Sequence, residues 1–175
     1  MPESAFIVRA PEAEGCVGSL RRRFDRSVDL GVPAHITVLA PFMAPECVTP
    51  TVIRRVESAL AQFAPFRFTL NTIARFPATT YLAPEPSHPF VAMTQALFEE
   101  FPVFPPFRGE HASIVPHLTV AHGSAAEAVV AAAELERALQ AHGPITGTCT
   151  SVVLLENSSG LWKEMHVFVL QRKDG

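Results

Sequence analysis

The sequence has few charged residues and no excess of positive charge. In 175 residues, 14 Lys and Arg stand against 17 Asp and Glu, which gives a formal net charge of −3 at pH 7. A protein that coats a nucleic-acid groove usually has a strong basic excess, so this composition disfavours that class, although a nucleotide could still bind a local positive pocket. Apolar residues make up 48% of the chain, and this composition rules out intrinsic disorder.

Paired cysteines and long apolar runs are also missing. Cys16, Cys47 and Cys149 are odd in number and form no Cys-x-x-Cys motif, which indicates reduced structural thiols rather than a disulfide framework. The apolar run from Ala5 to Val8 is too short for a signal peptide, and glutamates interrupt the Ala-rich segment near residue 130. We therefore expect a soluble, cytoplasmic protein with no membrane association.

Sequence motifs for cofactors and metals are absent as well. No Gly-rich loop of the P-loop or dinucleotide-binding type occurs, so no apparatus for ATP-dependent ligation is visible. The sequence contains no His-x-x-x-His motif and no cysteine cluster, so it gives no indication of a zinc site. We predict no cofactor and no metal. A metallohydrolase that uses several of the seven histidines stays open as a weaker alternative.

Both halves of the chain alternate short apolar runs with helical patterns. Strands are predicted at 4–9, 34–40, 66–76, 79–83, 115–121, 145–155 and 165–171, and helices at 14–26, after Thr49, after Ser87 and after Ser124. Thr49 precedes a proline, and Ser124 with Glu127 forms a capping box, both of which are signals for a helix N-terminus. Each half therefore has the order β-α-β-α-β, which suggests an internal duplication.

One tetrapeptide recurs at the middle strand of each half, as His35-Ile-Thr-Val38 and His117-Leu-Thr-Val120. Side chains alternate along a strand, so the histidine and threonine point to one face and the apolar residues to the other. A single histidine of this kind is more often structural. A matched pair, each followed by threonine on the same face, favours a functional site.

The chemistry of this pair follows from its side chains. Imidazole titrates near neutral pH, so one histidine can be a general base while the other is a general acid. The hydroxyls of Thr37 and Thr119 can donate to the non-bridging oxygens of a phosphate. On two opposed strands, one imidazole would remove a proton from the attacking oxygen and the other would protonate the leaving oxygen, as in-line displacement at phosphorus requires.

These motifs resemble those of the 2H phosphoesterase superfamily, which includes bacterial 2′-5′ RNA ligase-like proteins and cyclic nucleotide phosphodiesterases. Looser similarity extends over Leu39–Phe42, Thr80–Pro84 and the region from Leu154 to Trp162. The resemblance implies an α+β fold, with two pseudo-symmetric lobes of antiparallel strands around a central cleft. The lobes would span approximately 1–77 and 78–175 of a single domain, with the last strand a candidate for exchange between them.

The resemblance also implies metal-independent hydrolysis of 2′,3′-cyclic phosphates or 2′-5′-linked RNA ends and nucleotides. By motif matching, His35 and His117 are the acid/base pair, and Thr37 and Thr119 are phosphate ligands. Which histidine is the base, the direction of reaction (ligase or hydrolase) and the physiological substrate stay open. The expected partner is a nucleotide or RNA-end substrate, with a monomer and no obligate protein partner. The alternative is a non-catalytic domain that binds a nucleotide or RNA end.

Three further features are candidates for substrate contacts. Tyr81, the single tyrosine, could hydrogen-bond a phosphate from a neighbouring strand. Phe42 could stack a base, although a core position is the commoner place for such a residue. The basic run Arg21–Arg23 is more often a solvated helix face than a phosphate-binding surface.

Two other histidines lie close to the second motif in the sequence. His111 follows a proline-rich loop, and we expect it to lie near the site but not to be one of the two catalytic histidines. His122 follows His117 by five residues, so regular strand geometry predicts that it points to the opposite face.

Overall fold

The computed structural model describes residues 1–172, in which eight strands and four helices are found. The strands are β1 (Ser4–Arg9), β2 (His35–Leu39), β3 (Phe66–Phe76), β4 (Thr79–Glu85), β5 (Leu118–His122), β6 (Ile145–Cys149), β7 (Ser151–Glu156) and β8 (Lys163–Val169). The helices are α1 (Glu14–Phe24), α2 (Pro50–Leu60), α3 (His88–Glu100) and α4 (Ala125–His142). The predicted order β-α-β-α-β occurs twice, and a β7–β8 hairpin follows. No helix in this part of the chain is both long and apolar enough to cross a membrane.

The predicted capping residues lie where the helices begin. The Thr49 side chain accepts a hydrogen bond from the Val52 amide at the start of α2, and Ser124 and Glu127 form a reciprocal capping box on α4. Such caps satisfy backbone amides that have no partner within the helix. Ser87 is the N-cap residue of α3, but its side chain makes no capping hydrogen bond.

The strands form two antiparallel sheets of four strands each. Sheet A has the order β2-β1-β7-β8, and sheet B has the order β5-β4-β3-β6. This arrangement confirms the α+β class with antiparallel sheets. The two motif-bearing strands, β2 and β5, each lie at an edge of a sheet and next to the first strand of their own β-α-β unit.

The expected boundary between lobes near residue 77 does not follow the sheets. Pro77 and Ala78 form the tight turn between β3 and β4, which pair with each other in sheet B. The predicted strand 145–155 is likewise two strands, because β6 pairs with β3 whereas β7 pairs with β1, and the chain changes sheets at Thr150. Alternation of apolar residues shows that a segment is extended, but it carries no information about which strand lies beside it.

The helices connect the two sheets into one core. Helix α1 lies between β1 and β2 in the sequence but packs against β5 and α4, and α3, which lies between β4 and β5, packs against β2 and α2. Buried residues from both sheets, including Phe6, Ile36, Leu82 and Leu118, belong to one continuous apolar cluster. This packing holds β2 and β5 in contact with each other.

Candidate functional site

The two motif strands have the alternation that the sequence predicts. In each motif the histidine and the threonine are half-buried. The apolar residues between and after them are buried in the core: Ile36, Val38, Leu118 and Val120. Both strands therefore direct an imidazole and a hydroxyl away from the core.

A cleft of about 700 Å³ receives these side chains. His35, Thr37, His117 and Thr119 all line it, so the structure brings the four predicted residues to one site. This volume lies in the range of pockets that bind small-molecule ligands. The first two residues come from sheet A, while Thr119 lies on sheet B and His117 immediately precedes its edge strand β5.

Both histidine rings are held in the same way. The Nδ1 atom of His35 lies 2.7 Å from the carbonyl oxygen of Pro33, and Nδ1 of His117 lies 2.7 Å from the carbonyl oxygen of Val115. A carbonyl can only accept, so Nδ1 carries the hydrogen in both rings. Nε2 is then the atom of each ring that is left to take up or release a proton.

The electrostatics of the cleft favour neutral imidazoles. Burial lowers the pKa of His35 to about 4, against the opposing effect of its hydrogen bond to Pro33. Burial also lowers the pKa of His117, and the neighbouring His111 and His122 lower it further. Each ring of the pair therefore has a free Nε2 lone pair at neutral pH when the cleft holds no anion.

Aromatic side chains explain why His117 is desolvated. Its ring centroid lies 5.4 Å from that of Phe76, 5.4 Å from that of Tyr81 and 6.1 Å from that of Phe107. Tyr81 is itself buried on β4, directly opposite Thr119, so it lies against the motif residues rather than at the open surface of the cleft. Phe76 and Phe107 line the cleft.

Phe42 does not reach the cleft, which corrects its candidate role in stacking a base and places it in the core. Its ring is 4% exposed and packs on Phe6, Phe101 and Phe104 with centroid separations of about 5 Å. The residue follows the strand that carries the first motif, but the chain turns into the core after Leu39. The phenylalanines that line the cleft are Phe76 and Phe107, neither of which the sequence singled out as a site residue.

His111 lies in the loop before β5 and lines the cleft, as expected. His122 lines it too, so the prediction that it points away from His117 was wrong. Thr80 pairs with Ala121 whereas Tyr81 pairs with Thr119, so one residue of β5 has no partner on β4. Such a bulge reverses the alternation that follows it. The Nδ1 atom of His122 then hydrogen-bonds the Thr79 hydroxyl at 2.8 Å.

The basic run on α1 is only partly solvated. Arg21 is buried and paired with Asp25, and Arg23 is paired with Glu134 at 2.6 Å. Of the three, Arg22 is the one that is both exposed and without an ion pair within the described residues. The run is therefore not a continuous phosphate-binding surface.

Residues that the sequence did not indicate also line the cleft. Asp25, Ser27 and Phe107 lie outside the strands, and Thr79 is the first residue of β4. Phe107 has a φ of 49°, a left-handed conformation that is uncommon for a large side chain, and its amide donates to the carbonyl of Ala40, the residue after β2. In residues 1–172, no three His, Cys, Asp or Glu side chains form a group that could hold a metal ion.

The sequence matches a family model described as the 2′-5′ RNA ligase superfamily over residues 8–161. The match includes both histidine motifs and most of the described fold. No curated protein sequence matches the chain.

Solved structures share the fold at low sequence identity. The structure of E. coli LigT complexed with 3′-AMP has a TM-score of 0.64 at 14% identity, covering 98% of this chain and 100% of that one. TT0787 of Thermus thermophilus has a TM-score of 0.63 at 16% identity, with coverage of 98% and 100%. A protein described as a phosphoesterase has a TM-score of 0.60 at 13% identity, with coverage of 97% and 98%. These similarities concern the fold.

Proposed function

The chain belongs to the 2′-5′ RNA ligase superfamily, and from this premise we propose that it is a metal-independent phosphoesterase that hydrolyses 2′,3′-cyclic phosphates or 2′-5′-linked RNA ends and nucleotides. The observation that carries the proposal is the equivalent setting of two imidazoles in one cleft. Each ring has its Nδ1 hydrogen bonded to a carbonyl two residues earlier, and each has a threonine on the same face.

In the proposed reaction, a phosphodiester lies between the two rings, and Thr37 and Thr119 donate to its non-bridging oxygens. Nε2 of one histidine accepts a proton from water as the water oxygen bonds to phosphorus. The bond from phosphorus to one ribose oxygen breaks, and Nε2–H of the other histidine protonates that oxygen. The products are a phosphomonoester and a free hydroxyl, and solvent restores the protons of the two rings.

The electrostatics suggest a division of roles. The pKa of His35 is lowered to about 4, so its Nε2 atom is unprotonated at neutral pH and free to accept a proton. A bound anionic phosphate raises this pKa towards the working pH, which makes His35 a stronger base. His117 then supplies the proton to the leaving oxygen. An anionic phosphate bound between the rings raises the pKa of both, and this effect provides the protonated His117 that the free cleft disfavours.

A nucleoside fits the remaining part of the cleft. Phe107 and Phe76 present aromatic surface beside His117. A base of any of the four kinds can stack on such a ring. The complex of E. coli LigT with 3′-AMP shows that this fold can hold a nucleotide in that protein. We propose a monomeric enzyme of the cytoplasm without a cofactor; the three free cysteines are consistent with a reducing compartment.

The test is hydrolysis of a panel of 2′,3′-cyclic mononucleotides, 2′-5′ dinucleotides and ADP-ribose cyclic phosphate, with and without EDTA. We expect activity in EDTA, a bell-shaped pH profile, and loss of hydrolysis in His35→Ala and His117→Ala while both variants stay folded. His88→Ala is the control, because His88 is exposed at the start of α3. Loss of activity in EDTA that added metal restores would refute the two-histidine mechanism.

A non-catalytic nucleotide or RNA-end binding domain is the second candidate. The observation in its favour is that the pKa of both imidazoles is lowered, so the free cleft holds no ready proton donor at neutral pH. Tight binding of a cyclic nucleotide without turnover at any pH from mildly acidic to mildly basic would support this candidate over the enzyme.

A further inference from the structure

A buried ion pair lies beside the cleft, outside the two histidine motifs. The guanidinium of Arg21 on α1 is 2% exposed, and the carboxylate of Asp25, just after the helix, is 6% exposed. Nε and one terminal nitrogen of Arg21 donate to the same oxygen of Asp25 at 3.2 and 3.1 Å. A buried pair of this kind costs desolvation energy that an apolar pair would not, so its presence calls for a reason other than stability.

The pair holds the loop between α1 and β2 at both ends. The terminal nitrogen of Arg21 that binds Asp25 also donates to the Ser27 hydroxyl at 3.2 Å and to the carbonyl of Val32 at 3.0 Å. The free oxygen of Asp25 accepts from the Ser27 amide at 3.0 Å. One guanidinium therefore fixes the first turn of the loop and its last residue before Pro33.

The fixed end of this loop is the part that orients His35. Pro33 directly follows Val32, and the carbonyl of Pro33 accepts the hydrogen bond from Nδ1 of His35. Glu14, whose carboxylate lies 3.7 Å from Arg21, accepts from the Ala34 amide at 2.8 Å. The peptide groups on either side of Pro33 are thus held by the same cluster.

The other partner of the ion pair reaches the strand of the second motif. Asp25 forms an isolated parallel β-bridge with His122, the last residue of β5. That strand carries Thr119 and directly follows His117. The backbone of Asp25 therefore connects the loop that orients the first histidine to the strand that follows the second.

We propose that Arg21 and Asp25 are positioning residues that fix the Nδ1–H tautomer and the ring orientation of His35 relative to His117. The inference rests on the proposed function, because it assigns the pair a role in the same cleft. The second motif has a different support: Val115, the acceptor for His117, is exposed, and aromatic rings surround the imidazole. The ion pair serves the first histidine specifically.

The test compares Arg21→Lys with Arg23→Lys on the same helix. Both changes keep the positive charge and remove the planar fork, but Arg23 binds Glu134 on the surface. We expect Arg21→Lys to lower kcat by about 10- to 100-fold with KM within about threefold, since small misplacement of a catalytic group has effects of this size. Arg23→Lys should leave both constants unchanged.

A second readout does not depend on activity. Nitrogen-15 NMR distinguishes the two imidazole tautomers, and we expect His35 in the wild type and in Arg23→Lys to be in the Nδ1–H form. Arg21→Lys should show a mixture of tautomers for His35 and an unchanged His117. The Asp25 carboxylate raises the pKa of His35, whereas Arg21 and His117 lower it. Asp25→Asn removes only the effect that raises the pKa, so His35 should titrate at lower pH.

If Arg21→Lys does not fold, the double variant Arg21→Met/Asp25→Leu replaces the pair by apolar residues, which proteins often tolerate. The same loss of a single His35 tautomer is expected there. A folded variant of either kind with wild-type tautomer and kcat would overturn the positioning role. If the wild type has no phosphoesterase activity but the tautomer changes as expected, the proposed function fails and the positioning role of the ion pair survives.

Discussion

The desolvated imidazole of His35 should make the protein less stable in mild acid, and His35→Asn should remove this dependence. In the folded protein the His35 imidazole takes up a proton only near its pKa of about 4, whereas in the unfolded chain it takes up a proton near pH 6.5. Between these values the unfolded state binds more protons. Stability contributed at this site therefore rises with pH and falls as the pH decreases from 6.5 towards 4.

The size of the effect follows from the separation of the two pKa values. The shift from 6.5 to about 4 corresponds to about 3 kcal/mol when complete, and most of it, about 2 kcal/mol, is reached at about pH 5. The ring is half-buried and its hydrogen bond to Pro33 is present in both protonation states. Asparagine can donate to the same carbonyl but does not titrate, so the substitution removes the charge effect with a small change in packing.

Urea denaturation, followed by circular dichroism, measures the free energy of unfolding at about pH 7 and about pH 5. The wild type should lose about 2 kcal/mol more than His35→Asn between these two pH values. His142→Asn, at the exposed end of α4, should follow the wild type. Parallel curves for the wild type and His35→Asn would show that this imidazole is not desolvated, and the case for a neutral base in the free cleft would fail.

Three further outcomes are expected from the same structure. Phe107→Ala should raise KM for a cyclic nucleotide by about 5- to 100-fold, the cost of one lost base-stacking contact, with a smaller change in kcat; an unchanged KM would place the base elsewhere. Thr37→Val and Thr119→Val should each lower kcat/KM by about 10- to 100-fold in steady-state assays, whereas Thr72→Val on the exposed side of β3 should not. Ser124→Ala breaks the capping box of α4 and should lower the free energy of unfolding by about 1 kcal/mol in urea, at unchanged kcat.

The sequence predicted the parts of the site that depend on local geometry. Alternation along a strand places His35 with Thr37 and His117 with Thr119, and the structure has all four in one cleft. The capping residues predicted the starts of α2 and α4 for the same reason, since a cap and its amide lie within a few residues.

The parts that depend on distant contacts were not predictable in this way. The position of His122 is set by a bulge that exists only because β5 pairs with β4 in a shifted register. The switch of sheets at Thr150 depends on which strands flank each segment, and the apolar pattern on both sides of it is continuous. Phe42 and Phe107 are similar residues in proline-rich surroundings, and only the path of the chain after β2 separates a core ring from a cleft ring.

The position of β7 and β8 has a consequence for the order in which the protein can assemble. Of the eight strands in residues 1–172, these two are synthesised last, yet β7 covers the edge of β1 that β2 leaves free. Until Glu156 at the end of β7 has emerged from the ribosome, the backbone amides and carbonyls on that edge of β1 have no partner in sheet A, so the wall that carries His35 stays incomplete. Nascent chains that end before this hairpin already have all four strands of sheet B. They should still expose the unpaired backbone groups of β1 and therefore bind chaperones.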